Sequence, residues 1–214
     1  MAYKITDACI SCGACVYKCP FGAITDKSYV LDIIDMLKGS ENNTKYKVYA
    51  VIAPAIVSQC SFGKPTQVIT AIQKLGFHQV VEAALGADIT LYNEALEWKE
   101  KGLMTTSCCP SYVAFIEKNF PELVQHISHS VSPMIMTAQL IKHSDPTAKC
   151  VFIGPCASKK AEFKLPKTGG AIDCVMSFEE LQAFLDARGI DTVECEDTVL
   201  DNGSFYGRIF AKSG

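Results

Sequence analysis

Four cysteines near the start of the sequence have a spacing that suits an iron–sulfur cluster. Cys9, Cys12, Cys15 and Cys19 follow the pattern C-x2-C-x2-C-x3-C, and Pro20 comes next. At these spacings three thiolates can bind one cubane while the fourth points elsewhere. Zinc also takes cysteine thiolates, but four cysteines this close with a terminal Cys-Pro favour iron and sulfide. The pattern therefore predicts a 4Fe–4S cluster.

The source of the fourth ligand to this cluster is open. In bacterial ferredoxins with this run the fourth cysteine serves a second cluster, and the sequence contains no second run of the kind. Either Cys19 folds back to complete a single cluster, or the partner motif lies upstream in a longer natural protein. The second case would leave an open position on the cluster, for which Cys60 is the other nearby candidate.

Two further segments, TSCCPSY and GPCASKKAE, carry reactive side chains after apolar runs. The first contains the adjacent Cys108 and Cys109, and the second contains Cys156. Each segment follows a run that predicts a β-strand, and a third such run ends at Ala53 and Pro54. Ligands of open α/β sheets bind beyond the carboxyl ends of the strands. We therefore expect these cysteines to converge on one rim of a sheet.

The same two segments resemble the first and second signatures of the iron-only, or [FeFe], hydrogenases, the second being Pro-Cys-x-x-Lys-x-x-Glu. Together with the ferredoxin run, the similarity covers nearly the whole chain. In that family the signatures help bind the H-cluster, a cubane joined through a cysteine to a two-iron unit with carbon monoxide and cyanide ligands. The resemblance implies an H-cluster in the full-length parent, reversible reduction of protons to dihydrogen, and a ferredoxin or another redox partner.

The resemblance also implies roles for the residues of the two signatures. Cys109 and Cys156 would be cubane ligands, whereas Cys108 would pass protons to the two-iron unit. Lys159 would donate a hydrogen bond to a cyanide nitrogen, and Glu162 would orient that lysine, although such a pair taken alone is usually a surface helix pair. Adjacent cysteines suit this division because one thiolate holds metal while its neighbour stays protonatable. The competing interpretation is a pair of buried structural cysteines.

Two glutamates matching the family's relay residues predict a proton path. Glu94 and Glu97 are three residues apart and share one face of a predicted helix. In the hydrogenases two glutamates at the matching places relay protons to the cysteine, and Ser128 matches the serine between them. We expect the order Glu97, Ser128, Glu94 and Cys108. Without the resemblance, a solvated helix face would be the preferred interpretation of the glutamates.

Further residues are expected to line the pocket of the two-iron unit. The segment SPMIM resembles a family segment that lines this pocket, which implies that Ser132 and Met134 bind the cofactor. The Ala53-Pro54 loop resembles the loop whose backbone faces the unit. Methionine suits a dry pocket for a diatomic gas, but Met134 and Met136 could equally be ordinary core residues.

The sequence departs from the family in its second half. The third family signature, a Cys-x-x-x-Cys that completes the cubane and bridges to the two-iron unit, is absent there, since Cys174 and Cys195 are twenty-one positions apart. We therefore expect an inactive fragment of a longer hydrogenase. The alternative is a non-catalytic hydrogenase-like protein, namely a cluster assembly factor, a redox sensor or an electron-transfer module. A scaffold needs neither the Cys108 thiol nor the relay glutamates.

From residue 28 onward, helical patterns alternate with short β-rich runs. This alternation predicts an α/β fold with a mostly parallel sheet flanked by helices, preceded by a small ferredoxin-like segment. We assign residues 1–26 to the 4Fe–4S segment and residues 27–214 to a partial hydrogenase catalytic domain. The strands are predicted at 48–54, 79–83, 103–108, 149–156 and 174–176. The main helices are predicted at 29–37, from 65, and at 88–101, 112–119, 133–143 and 177–189.

Composition narrows the class of protein. The chain has 20 basic and 23 acidic residues with a net charge of −3, which favours neither nucleic acid nor an anionic membrane as a partner. Its start lacks the apolar stretch of a signal peptide, so we expect a cytoplasmic protein. Eleven cysteines in a reducing compartment are more consistent with metal binding or chemistry than with disulfides.

Overall fold

A computed structural model describes residues 7–59 and 61–198 and contains one four-stranded sheet. The strands lie in the order β2-β1-β3-β4 and all neighbouring pairs are parallel. The predicted α/β class with a parallel sheet is confirmed. The strands are β1 (Val48–Ile52), β2 (Gln79–Glu82), β3 (Lys149–Ile153) and β4 (Cys174–Met176).

Helices separate the strands along the chain, as expected for βαβ units. Two 3₁₀ helices, Pro121–His126 and Pro166–Thr168, occupy connecting segments. The α-helices of the described residues are α1 (Ala14–Lys18), α2 (Val30–Gly39), α3 (Ile56–Gln59), α4 (Pro65–Lys74), α5 (Ala84–Lys101), α6 (Pro110–Asn119), α7 (Pro133–Ser144), α8 (Lys159–Glu162) and α9 (Phe178–Ala187).

The helix ends follow local sequence signals. Proline occupies the first position of α4, α6 and α7, where its fixed φ suits a helix start and its missing N–H costs nothing. Helix α9 begins with the predicted capping box, in which Ser177 Oγ accepts from Glu180 N and Glu180 Oε2 accepts from Ser177 N. Gly189 follows the helix with φ +64°, a conformation that favours glycine.

The sheet is buried on both faces. Val48, Ala50 and Val51 of β1 are fully buried, and so are Val151 and Ile153 of the adjacent β3. Near-continuous apolar runs are typical of parallel strands that helices cover on both sides. The strands thereby fix the rim at which the loops after β1 and β3 emerge.

The structure differs from the sequence predictions in two elements near the site. Residues 103–108 do not form a strand, because Thr105 makes only an isolated bridge to Ile127 and has no strand of the sheet beside it. Helix α5 begins at Ala84, four residues before the predicted start at 88. Gly86 lies in the first turn of this helix and packs directly on α7, where a Cβ would lie 2.4 Å from Pro133 O.

The first described residues form a thin, exposed segment rather than a layer of the core. Helix α1 is five residues long and none of its residues is buried. Within residues 7–59 and 61–198, no helix combines the length and apolar character required to cross a membrane.

Candidate functional site

The two cysteine segments lie side by side in the structure. Strand β3 ends at Ile153 and leads into the loop that carries Cys156. Lys159 Nζ, from the end of this loop, donates a hydrogen bond to Cys108 O over 2.9 Å. The hydroxyls of Ser111 and Ser158, two residues after Cys109 and Cys156 respectively, also hydrogen-bond to each other. The predicted convergence therefore holds, although residues 103–108 approach from the side and not as a strand.

The three thiols differ in their surroundings. Cys109 is exposed and directly precedes the first turn of α6. Cys108 and Cys156 are half-buried, and Cys108 Sγ lies 3.6 Å from Thr106 Oγ1. Soft thiolate donors on two adjacent loops suit an iron–sulfur group. Neither Cys108 nor Cys109 is a buried structural cysteine.

Lys159 and Glu162 form a buried ion pair within α8. Lys159 Nζ lies 2.6 Å from Glu162 Oε2, and the side chains are only 13% and 5% exposed. A surface pair would be solvated and would hold neither group in place. Here Glu162 and Cys108 O together fix the ammonium at the edge of the double cysteine. The ion pair is compatible with the orienting role predicted for Glu162, and that role toward a cofactor stays a prediction.

Three of the predicted relay residues form a connected polar path. Ser128 Oγ donates to Glu97 Oε2 over 2.9 Å, and Ser130 N donates to Ser128 Oγ over 3.0 Å. The Ser128 hydroxyl also lies near enough to Glu94 to influence the pKa of its carboxyl. Glu94 is 3% exposed and its Oε1 accepts from Ser107 N, the residue before Cys108, over 3.4 Å. The two glutamates therefore do not lie on a solvated helix face.

The two glutamates have opposite pKa shifts. Burial raises the pKa of Glu94, although the N–H of Ser107 and the nearby Ser128 hydroxyl partly oppose it. Burial acts in the same direction on Glu97, but hydrogen bonds from Lys101, Ser128 and His129 outweigh it and lower the pKa of Glu97 to about 2. The inner carboxyl therefore holds a proton more firmly than the outer one.

A cavity of about 320 Å³ lies next to this path. Ser107, Ser128, Ser132 and Glu162 are among the residues that line it. Ser132 is 2% exposed, and its hydroxyl has no hydrogen-bond partner among residues 7–59 and 61–198. A buried hydroxyl without a partner is costly, so this cavity is where a polar group or ligand is expected.

Met134 and the Ala53-Pro54 loop were also predicted to line the pocket. Met134 is 1% exposed and packs in the main hydrophobic core, which agrees with the core alternative. Ala53 and Pro54 directly follow β1, and Ala53 N donates to Ile153 O over 2.8 Å. This bond places the Ala53-Pro54 loop beside the loop of Cys156.

Gly154 directly follows β3 and is closely packed. A Cβ added to Gly154 would lie 2.7 Å from the Phe152 ring and 3.0 Å from Ala53 Cβ. Neither distance is compatible with normal van der Waals contact. A larger residue at this position would therefore have to displace the Phe152 ring and press on Ala53.

The four N-terminal cysteines lie in α1 and on either side of it along the chain. Cys9, Cys12 and Cys15 are exposed and Cys19 is half-buried. Backbone amides, chiefly those of Phe21 and Ala23, lower the pKa of the Cys19 thiol, which favours the thiolate that binds iron. Cys60, the other candidate for the fourth ligand, lies outside the described residues.

This arrangement also bears on the choice between iron–sulfur and zinc. The thiolates of a cubane bind different iron atoms and need not approach one another as closely as the ligands of one zinc ion. The exposed thiols and the amides at Cys19 fit a cubane.

Sequence reasoning missed several residues that support the site. Ser111 and Ser158 are buried and join the two cysteine loops, and Lys160 is buried beside Lys159. The spacing gives one signal, because each serine follows a signature cysteine by two residues. Nothing in the sequence indicates that Lys160 is buried, since a Lys-Lys pair is normally solvated.

Two family profiles match the sequence. Residues 46–214 match the C-terminal domain of the iron-only hydrogenase large subunit, and residues 2–25 match the 4Fe–4S binding domain. Together the matches leave residue 1 and residues 26–45 outside them. The 4Fe–4S match supports an iron–sulfur cofactor at the four N-terminal cysteines.

Curated relatives include hydrogenases and assembly factors. Iron hydrogenase 1 of Clostridium pasteurianum is 30% identical over 91% of this chain and 38% of its own length. The NADP-reducing hydrogenase subunit HndD of Solidesulfovibrio fructosivorans is 27% identical, covering 90% of this chain and 38% of the relative. The cytosolic Fe-S cluster assembly factor NAR1 of Meyerozyma guilliermondii is 27% identical over 88% of this chain and 39% of its own length. The chain thus spans about two fifths of the length of these relatives.

Solved structures agree with the sequence matches. An apo form of the [FeFe]-hydrogenase HydA1 from Chlamydomonas reinhardtii superposes with a TM-score of 0.71 at 26% identity, covering 82% of this chain and 52% of that chain. A second hydrogenase structure, described as revealing stepwise H-cluster assembly, has a TM-score of 0.67 over 82% of this chain and 51% of that one. The chain belongs to the iron-only hydrogenase large-subunit family, and a 4Fe–4S binding segment precedes its hydrogenase domain.

Proposed function

We propose that this domain is part of an enzyme that interconverts protons and electrons with dihydrogen. The observation that carries the proposal is the polar path from Glu97 through Ser128 to the buried Glu94, which ends beside the double cysteine. A domain that only stores or transfers an iron–sulfur cluster has no use for a proton path into its interior. The path therefore favours hydrogen chemistry over a scaffold.

The proposed cofactor is the H-cluster, with Cys109 and Cys156 as two ligands of its cubane. When bound, the H-cluster supplies the redox chemistry that joins protons with electrons, and the protein supplies orientation, hydrogen bonds and exclusion of water. The two thiols fit this role because they lie on adjacent loops, which the hydrogen bond from Lys159 to Cys108 O connects. Ala53, Pro54 and Ser132 are proposed to form the pocket wall.

Proton delivery is the part of the mechanism that the side chains of this chain perform. Glu97 is 15% exposed and hydrogen-bonds to Ser128, so it is the outer member of the path. The low pKa of Glu97 and the raised pKa of Glu94 make inward transfer favourable, because a proton is held more firmly at Glu94. Ser128 can accept and donate through one hydroxyl and so connect the two. Cys108 is proposed to receive the proton from Glu94.

Lys159 is proposed to bind the cofactor with its ammonium. Its Nζ has three donors, of which Cys108 O and Glu162 Oε2 take two. The third donor is left for an anionic ligand such as a cyanide nitrogen. Since the pair with Glu162 is buried, the ammonium keeps its place without the entropy cost of an exposed lysine.

The proposed redox partner is a ferredoxin or another one-electron carrier that reduces the N-terminal cluster. The exposure of Cys9, Cys12 and Cys15 supports this, because a cluster held there would be accessible at the surface. We also propose a cytoplasmic location. One set of relatives carries a cytosolic name and another a periplasmic one, so cell fractionation tests this part.

The proposed function is tested by dihydrogen production. The natural gene is expressed anaerobically with the maturation enzymes of the family, and dihydrogen is measured with a reduced viologen as electron donor. Glu94→Gln removes the proton carrier but keeps the shape of the side chain, so we expect activity to fall by roughly 100-fold or more. Glu100→Gln, at the exposed end of α5, is the matched control and should retain full activity.

Cofactor loading must be equal for this comparison, so iron content and the infrared bands of carbon monoxide and cyanide are measured on each variant. The proposal is contradicted if the wild-type protein loads the cofactor but makes no dihydrogen. It is also contradicted if Glu94→Gln is as active as Glu100→Gln, because the buried carboxyl would then have no part in proton delivery.

Cluster assembly is a second candidate function, and the curated relatives named NAR1 favour it. An assembly factor would pass an iron–sulfur cluster to an acceptor protein and would not need Glu94. Transfer of labelled iron to an apo-protein acceptor distinguishes the two. Transfer without dihydrogen production would support assembly, whereas dihydrogen production without transfer would support the hydrogenase.

A further inference from the structure

A line of contacts connects the N-terminal iron–sulfur segment to the two cysteine loops of the hydrogenase domain. Ser158 Oγ donates to Ser11 O over 2.9 Å, and Ser11 lies between Cys9 and Cys12. Since Ser158 gives its single proton to Ser11, the Ser111 hydroxyl must donate to Ser158. One hydrogen-bonded chain thus runs from the cysteine loop of the segment to both cysteine loops of the domain.

The backbone of the segment packs closely on the same loop. A Cβ added to Gly13 would lie 3.3 Å from Ala157 Cβ, and Gly13 has φ +77°. Lys118 of α6 donates to Cys9 O over 2.7 Å and also contacts Asp7 O. These contacts lie next to proposed ligand cysteines in the segment and in the domain. In the segment Lys118 contacts Cys9 itself, and in the domain Ala157 directly follows Cys156.

A charged contact closes the other end of the segment. Lys160 Nζ forms ion pairs with two carboxylates and lies 2.8 Å from Asp26 Oδ2 and 2.8 Å from Glu180 Oε2. The Lys160 side chain is 6% exposed, whereas that of Asp26 is 40% exposed. Burial opposes the charge on Lys160, but the two carboxylates outweigh it and raise the pKa of this lysine. The hydrogenase domain therefore buries a lysine whose partner lies at the end of the iron–sulfur segment.

We propose that Ser158 and Lys160 are positioning residues that dock the iron–sulfur segment, residues 7–26, onto the loops carrying Cys109 and Cys156. This docking holds the two sets of cysteines at a fixed separation, which any electron transfer between groups bound there requires. The segment has no core of its own, so its position depends on these few polar contacts. The inference needs only the N-terminal cluster, so it can fail or succeed independently of the hydrogen chemistry.

The test uses the whole 214-residue chain, reconstituted anaerobically with iron and sulfide. Two variants each remove one contact. Ser158→Ala breaks the serine chain without a change of charge, and Asp26→Asn removes the partner of Lys160 while Glu180 still pairs with it. Amide hydrogen exchange is followed by mass spectrometry in residues 7–26 and in the sheet, and the N-terminal cluster is titrated with its electron paramagnetic resonance signal.

We expect each variant to speed exchange in residues 7–26 by about fivefold, the effect of losing one net hydrogen bond or ion pair. Exchange in the sheet should stay unchanged. The reduction potential of the cluster should rise in Ser158→Ala, because water at a loosened cluster stabilises the reduced, more negative form. A structural change elsewhere in the domain would not move this potential.

Two further variants serve as controls. Asp26→Glu keeps the carboxylate and should restore slow exchange, and Asp35→Asn changes an exposed carboxylate on α2 and should behave as wild type. If Ser158→Ala also loses protection in the sheet, that variant has not folded. The result for Asp26→Asn alone then tests the inference. The inference is overturned if segment exchange and cluster potential match the wild type in the folded variants, or if Asp35→Asn has the same effect.

Discussion

The two parts of this chain are stabilised by different means. The hydrogenase domain has a continuous core in which both faces of the parallel sheet are covered, and Ile33, Ile153 and Leu181 are fully buried. In the iron–sulfur segment, α1 has no buried residue, and Tyr17 and Phe21 are 91% and 89% exposed. Burial of apolar surface therefore holds the domain, whereas the segment depends on metal ligands and on polar contacts with the domain.

The largest effect that this comparison predicts follows removal of iron. A chelator that strips the N-terminal cluster should let residues 7–26 exchange their amide protons as an unstructured peptide does, because metal binding and folding are coupled there. The sheet should keep its protection. Hydrogen exchange with and without chelator measures both regions in one sample. Equal loss of protection in the sheet would show that the two parts do not differ in this way.

A core substitution should destabilise the hydrogenase domain. Ile153→Ala removes a fully buried side chain at the end of β3 and should lower the free energy of unfolding by about 2–5 kcal/mol. Denaturant titration followed by circular dichroism measures this loss. The matched surface change Leu31→Ala, at a side chain that is 76% exposed, should cost much less. A loss at Ile153 no larger than that at Leu31 would contradict a core-based domain.

The proton path predicts an acid-sensitive contribution to the stability of the domain. The pKa of Glu97 falls from its ordinary 4.5 to about 2 in the folded state. A depressed folded-state pKa gives stability that is present above pH 4.5 and is lost as the pH falls towards 2, with a magnitude on the order of 3 kcal/mol. Unfolding free energies of wild type and Glu97→Gln should therefore converge across this window. Parallel pH profiles would contradict the hydrogen bonds assigned to Glu97.

The smallest expected effect lies at the start of α9. Ser177→Ala removes the hydroxyl that accepts from Glu180 N, so it should lower the free energy of unfolding by about 1 kcal/mol. Thermal denaturation should show a decrease of a few degrees. Ser177→Asp keeps a capping acceptor and should restore the midpoint. If alanine has no effect, the capping box does not contribute to this domain.

The sequence predicted the regular parts of the domain well, because they follow local rules. Apolar runs located β1 and β3, and the Ser177 and Glu180 pair located the start of α9. The strand expected at residues 103–108 was wrong, since strand formation needs a partner and pairing is not a local property. The first turn of α5 contains Gly86, whose close contact with α7 sequence alone does not show.

The candidate site was predictable in its residue types more than in its connections. The signatures identified Cys108, Cys156 and Lys159, and the structure brings their loops together. The contacts of Ser158 with Ser11 and of Lys160 with Asp26 join residues more than 130 positions apart. No periodicity or spacing encodes such contacts, because they arise only when the segment and the domain have both folded.

The most direct test of the central proposal is an infrared spectrum of the natural gene product, prepared anaerobically with the maturation enzymes of the family. The proposal predicts bands of iron-bound carbon monoxide and cyanide, and their loss in Cys156→Ser, which removes a proposed cubane ligand. The contradicting result is a spectrum without these bands from wild-type protein in which iron and sulfide analysis still finds a cubane. The domain would then carry iron–sulfur chemistry without the site for dihydrogen.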